Sequence, residues 1–99
     1  MTLNIIVKNH KKTYEMVIHL FEYLEESWNS RYNPTLEKIK YDMKINDIIS
    51  ESWFKEALLH LIKSDFIRIE SDFNGIKRIL RGKNPLPKNY DYSRFWFKI

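Results

Sequence analysis

Residues Leu58–Leu80 read LLHLIKSDFIRIESDFNGIKRIL, and two periodicities meet inside this stretch. Leu58, Leu61 and Ile62 recur at helical spacing, whereas Ile67 and Ile69 alternate with Arg68 and Glu70 at the two-residue spacing of a strand buried on one side. Asn74-Gly75 then offers two positions that tolerate positive φ, as a tight hairpin turn requires, before the basic return segment Lys77–Leu80. The stretch predicts a helix running directly into a β-hairpin. A two-residue turn at Asn74-Gly75 would pair Asp72 with Lys77 and Ile69 with Leu80 and bring Phe73 and Ile76 together at the tip.

Further elements flank this unit, whose own helix begins upstream of Leu58. Thr13 can cap a helix in which Tyr14, Val17, Phe21, Leu24 and Trp28 recur at three and four residues. Pro34 stands where a first helical residue belongs, and Leu36, Ile39 and Met43 form a narrow apolar stripe behind it. Ser50 or Ser52 can cap a third helix through Phe54, Ala57, Leu58 and Leu61, ending near Ser64-Asp65. Before these, Leu3, Ile5 and Val7 alternate with polar residues as a short strand or extended arm would. After the hairpin, Gly82, Pro85 and Pro87 end regular structure, and Phe95, Phe97 and Ile99 alternate with Arg94, Trp96 and Lys98 as in a final strand.

The 99 residues, 43% of them hydrophobic, suffice for one core and one domain. Its parts are an N-terminal arm (1–12), a helix-and-hairpin core (13–83) and an aromatic C-terminal extension (84–99). No apolar run approaches the ~20 residues that cross a bilayer, and no secretory leader is evident, so the chain reads as soluble and intracellular. With no cysteine, disulfides and thiolate chemistry are excluded. His10, His19 and His60 lie on separate elements without metal-site spacing, and His60 is expected on the wet side of its helix. Glu70, Asp72 and Lys77 superficially resemble a nuclease triad but read more economically as a hairpin carrying an Asp72–Lys77 cross-strand pair. Glycine-rich phosphate loops and serine-hydrolase patterns are missing, so the expectation is a non-enzymatic protein without cofactor.

The net charge of +4 is unevenly spread. Residues 13–28 carry four glutamates and no Lys or Arg, whereas from Ile67 onward eight basic residues stand against three acidic ones. A basic hairpin and tail favour a polyanion, and nucleic acid is the commonest large one in a cell; a solvated surface is the competing reading.

The order helix, helix, helix, hairpin resembles the winged helix-turn-helix superfamily over about 13–83. Pro34-Thr35-Leu36-Glu37-Lys38-Ile39 looks like the opening of that fold's second helix, and Leu58, Leu61, Phe66 and Ile67 fall where its third helix enters the wing. Asp65 stands where the family usually has Gly, and the turn before the third helix, placed at Ile45–Ser50, is longer than usual and lacks Gly. The resemblance implies an α+β fold and a homodimer that binds double-stranded DNA as a transcriptional regulator or accessory factor. Composition and size are similar to those of small proteins of archaeal viruses, plasmids and AT-rich phages. Outward positions of the third helix would be Glu51, Ser52, Lys55, Glu56 and Leu59, of which two are acidic and ill suited to phosphate. Contacts are therefore assigned to Ser52 and Lys55 and, chiefly, to Lys77, Arg78, Arg81 and Lys83 of the wing, helped by Lys11 and Lys12. The alternative is a module that binds or inhibits another protein through Phe73, Ile76 and the tail residues Tyr92, Phe95, Trp96 and Phe97.

Overall fold

In the computed structural model, which describes residues 3–91 with side chains from His10 onward, three helices precede a two-stranded antiparallel hairpin. They are α1 (Leu3–Asn29), α2 (Leu36–Asp42) and α3 (Ile48–Lys63), followed by β1 (Ile67–Ser71) and β2 (Lys77–Arg81). This is the α+β, winged-helix-like arrangement that the periodicities predict. The expected final strand and the residues Tyr92, Phe95, Trp96 and Phe97 lie outside the described residues.

Val17, Leu20, Phe21, Leu24 and Trp28 present one face of α1 to Phe54, Ala57, Leu58 and Leu61 of α3, and Ile39, Ile67, Ile79 and Tyr90 close the core around them. Leu20, Leu24, Ile39, Leu61 and Ile79 are fully buried. Burying such a side chain stabilises the fold by ~1.5–3 kcal/mol, so this one cluster carries most of the apolar driving force.

The start of α1 differs from expectation. Leu3–Val7 belongs to the helix, not to a strand, and Thr13 is an interior residue, not a cap. Leu3, Ile6, Val7 and His10 also fall at helical spacing, and neither Gly nor Pro interrupts them, so the helix extends through the lysine-rich segment. Thr13 is buried and donates its hydroxyl hydrogen to a Glu56 carboxylate oxygen at 3.2 Å, tying α1 to α3. The caps of α2 and α3 also shift. Pro34 lies before α2 and is not its first residue; the helix starts at Leu36 and Thr35 caps it, its hydroxyl accepting the Lys38 amide at 3.1 Å. Asp47 caps α3, accepting the Ser50 amide at 2.7 Å, so the helix starts before Ser50 and Ser52. An ionised carboxylate three residues before an unpaired amide outcompetes a hydroxyl because it also complements the positive end of the helix dipole.

All three helices end in the same way. Arg31, Lys44 and Asp65 have φ of 60°, 58° and 59°. The residue after each donates its amide back five positions, Tyr32 to Ser27, Ile45 to Lys40 and Phe66 to Leu61, in Schellman caps. Asp65 therefore takes a left-handed geometry although it is not glycine, and the turn between α2 and α3 is the short segment Met43–Asp47 with Lys44 as its left-handed residue. Gly82 answers a different demand: a Cβ there would stand 2.2 Å from the Asp65 carbonyl oxygen and 2.8 Å from the Ile67 nitrogen.

The hairpin register is one residue from that predicted. Ile69 faces Ile79 and Ile67 faces Arg81. The loop is Phe73-Asn74-Gly75, closed by the Asp72 amide on the Ile76 carbonyl at 2.8 Å and the Gly75 amide on the Asp72 carbonyl at 2.9 Å. Gly75, at φ 79°, takes the left-handed position that ends a three-residue loop. This register sets Ile69 opposite the buried Ile79, which a two-residue turn would have offset from it. A short extended segment flanks β2 on its other side: Thr35 bridges Arg78, and the Ile79 amide donates to the Pro34 carbonyl at 2.9 Å.

Two stability outcomes follow from these backbone positions. Lys44→Gly should raise the urea midpoint, by up to about 1 kcal/mol of stability, because it relieves the left-handed strain of a residue with a Cβ. Gly82→Ala should lower stability by about 1–3 kcal/mol, since backbone atoms, not flexible side-chain ends, occupy the space its Cβ needs.

Candidate nucleic-acid interface

A groove of about 580 Å³ runs between α2, α3 and the hairpin tip. Leu36, Phe54, Leu58 and Ile76 supply its apolar lining, and Lys40, Lys55 and Lys77 stand with Glu37 and Glu51 among its charged residues. Lys55 of α3 and Lys77 of β2 thus share one concavity although 22 positions separate them in sequence.

The outward face of α3 carries the residues expected of it, with Ser52, Lys55, Glu56 and Leu59 exposed. With Phe54, Ala57, Leu58 and Leu61 turned inward, the opposite side carries Ile48, Ser52, Lys55, Leu59 and Ile62, spaced at four and three residues. Glu51 sits at the edge toward α2, where its carboxylate accepts from the Lys40 ammonium at 2.9 Å. Lys40 holds the Glu51 carboxyl below its ordinary value. Glu56 lies toward α1 and receives the Thr13 hydroxyl. The outward face of α3 therefore keeps both carboxylates, Glu56 exposed and Glu51 half-exposed beside Lys55. It also exposes more apolar surface than the sequence reading foresaw: Ile48 is 87% exposed, Ile49 63% and Leu59 53%.

The wing cations divide. Arg78 donates from Nε to Asp72 at 2.7 Å and from a terminal nitrogen to the Asn33 carbonyl at 2.8 Å, and its guanidinium lies over Tyr32, 5.8 Å from the ring centre. It fastens the hairpin to the segment before α2. The expected Asp72–Lys77 pair is replaced by Asp72–Arg78, because the shifted register sets Ser71, not Asp72, opposite Lys77. Arg81 stacks on Trp28 at 4.9 Å from the ring centre. It stands four residues along β2 from Lys77, roughly 13 Å away, so it and the exposed Lys83 lie beyond the groove. Lys11 and Lys12 are on α1, where Lys12 pairs with Glu15 at 3.7 Å and lies 5.9 Å from the ring centre of Trp53.

Phe73 is fully exposed at the tip and Ile76 is 47% exposed, so neither folds over Tyr90. Tyr90 instead packs edge-on against Phe21 and Phe66, with ring centres 5.4 and 6.2 Å away. His60 is buried, not on the wet side of α3, its Nε2 lying 2.5 Å from the Tyr90 hydroxyl. No sequence signal marked that pairing, which joins α3 to a residue 30 positions downstream.

No family model, no curated protein and no solved structure matches this chain. Among the described residues, no helix is long and apolar enough to cross a membrane.

The anchoring of the tip gives it a pH dependence. The Asp72 carboxyl is held below its ordinary value of 3.8, first by the Arg78 guanidinium and then by the amides of Ile76 and Asn74. A lowered folded value means that the contribution to stability is complete above the unfolded value and is lost as pH falls through the folded one. Amide exchange at the tip should therefore stay slow at neutral pH and accelerate as pH is lowered below about 4, after correction for intrinsic exchange. In Asp72→Asn that acid-dependent component should be missing.

Proposed function

We propose that this protein is a non-enzymatic double-stranded DNA-binding protein whose contact surface is the outward stripe of α3 together with the wing, serving as a regulator or accessory DNA-binding factor. The observation that carries this reading is the convergence of Lys55 of α3 and Lys77 of β2 on one groove. Of the acidic side chains near them, Glu51 is paired with Lys40 in that groove and Glu56 is exposed and accepts the Thr13 hydroxyl, while Ser52 is exposed on the same helix. Lys55 and Lys77 face a common groove, so a duplex laid on α3 meets cationic side chains from helix and wing together. Lys83 and Arg81 extend the positive surface along the base of the wing, and Arg78 contributes its field while anchoring the hairpin. The protein would act as a homodimer, presenting two wings to one duplex.

A second reading is favoured by the exposure of Ile48, Ile49, Leu59 and Phe73: the same face would bind another protein. Salt separates the two. Affinity for random duplex DNA should fall steeply with salt, and the slope of log K against log salt should flatten by about 2 when Lys55 and Lys77 are both replaced by Ala. Absence of wild-type binding at low salt, measured by fluorescence anisotropy, would eliminate the DNA reading and leave the protein-binding one.

A further inference from the structure

Phe73 carries an inference that rests on the DNA-binding reading and deepens it. A fully exposed phenylalanine at the end of a hairpin contributes nothing to the core. A loop selected only for turning would place a polar residue there. The surrounding structure holds it nonetheless. One Asp72 carboxylate oxygen accepts the amides of Asn74 and Ile76 at 2.8 and 3.0 Å. The other accepts from Arg78, whose guanidinium is fixed in turn to the Asn33 carbonyl. The tip is thereby tied to the helical body through a chain of hydrogen bonds, and the ring stands on a preorganised mount. Ile76 adds apolar surface beside it, and Lys77 follows at the start of β2.

We propose that Phe73 is a wedge that enters the minor groove and partly unstacks a base step, kinking the duplex toward the major groove, while Lys77 holds the adjoining phosphates. An aromatic ring presented on a rigid support loses little conformational entropy on insertion, and apolar side chains at the leading edge of minor-groove proteins act in this way. Such a wedge selects deformable pyrimidine–purine steps, above all TA, without hydrogen-bonding to a base. A flat protein surface would also accept the ring, but it would produce no change in DNA shape, and the test is built on that difference.

The probe is a duplex of about 25 base pairs containing TA steps, labelled at both ends for energy transfer, with a matched duplex labelled at one end for affinity. Wild-type protein should shorten the end-to-end distance by a kink of roughly 20–90°. Phe73→Ala should melt like wild type and keep the salt slope, yet lose the kink and bind roughly tenfold more weakly. Phe73→Leu should retain most of the kink, since leucine also serves as a wedge. If wild-type protein binds without bending the duplex, or if Phe73→Ala bends it as wild type does, the wedge is refuted while DNA binding stands. If wild-type protein does not bind the duplex at low salt, the DNA reading falls and the wedge with it.

Discussion

Ile79 is the point through which the two halves of this domain are joined. Its side chain is fully buried, its amide donates to the Pro34 carbonyl at 2.9 Å and its carbonyl accepts the Trp28 indole N–H at 3.2 Å. One residue of β2 is thus bonded to the end of α1, bonded to the segment before α2, and packed in the common core. Buried backbone groups left unpaired cost about 1–3 kcal/mol each, so the wing cannot swing away without exposing or orphaning both. The groove between hairpin and α3, and every contact the wing makes there, exist because this strand is held in place.

The same economy governs the charged residues. A positive surplus in the last third of the chain is a statement about net field, not about which side chains are available. Arg78 is engaged with Asp72 and Asn33, and Arg81 lies on Trp28, so half of the wing's basic residues also serve as mortar between the hairpin and the helices. Arginine suits this position because its planar fork bonds two acceptors and stacks on an aromatic face at once. Lys55, Lys77 and Lys83 are exposed lysines with no such double duty among the described contacts. On α3, Glu51 pairs with Lys40 and Glu56 accepts from Thr13, and the apolar Ile48, Leu59 and Ile62 are exposed on the same helix.

How much was legible beforehand follows from the range of each interaction. The order of elements was, because Val17, Phe21, Leu24 and Trp28 on α1 and Ile67 and Ile69 on β1 repeat at the spacing of their secondary structures. Caps and register were less so. Thr13, Pro34, Ser50 and Ser52 all have cap or first-turn chemistry, but a cap is chosen by competition among neighbours, and Thr13 lost to continued helix while Asp47 won over two serines. The left-handed ends at Arg31, Lys44 and Asp65 carry no glycine to announce them, since a Schellman cap is imposed by returning hydrogen bonds as much as by residue preference.

Local patterning in the chain dictated three amphipathic helices, a hairpin and a basic C-terminal third, because periodicity and charge are properties of neighbouring residues. Tertiary packing alone decided that Glu51 pairs with Lys40 and Glu56 with Thr13, that Arg78 binds Asp72 where Lys77 was expected, that His60 meets Tyr90, and that Lys55 and Lys77 share a groove. Each of these depends on partners 6 to 43 positions apart whose meeting is set by the burial of Ile79 and the α1–α3 core, and no local pattern encodes the distance between them.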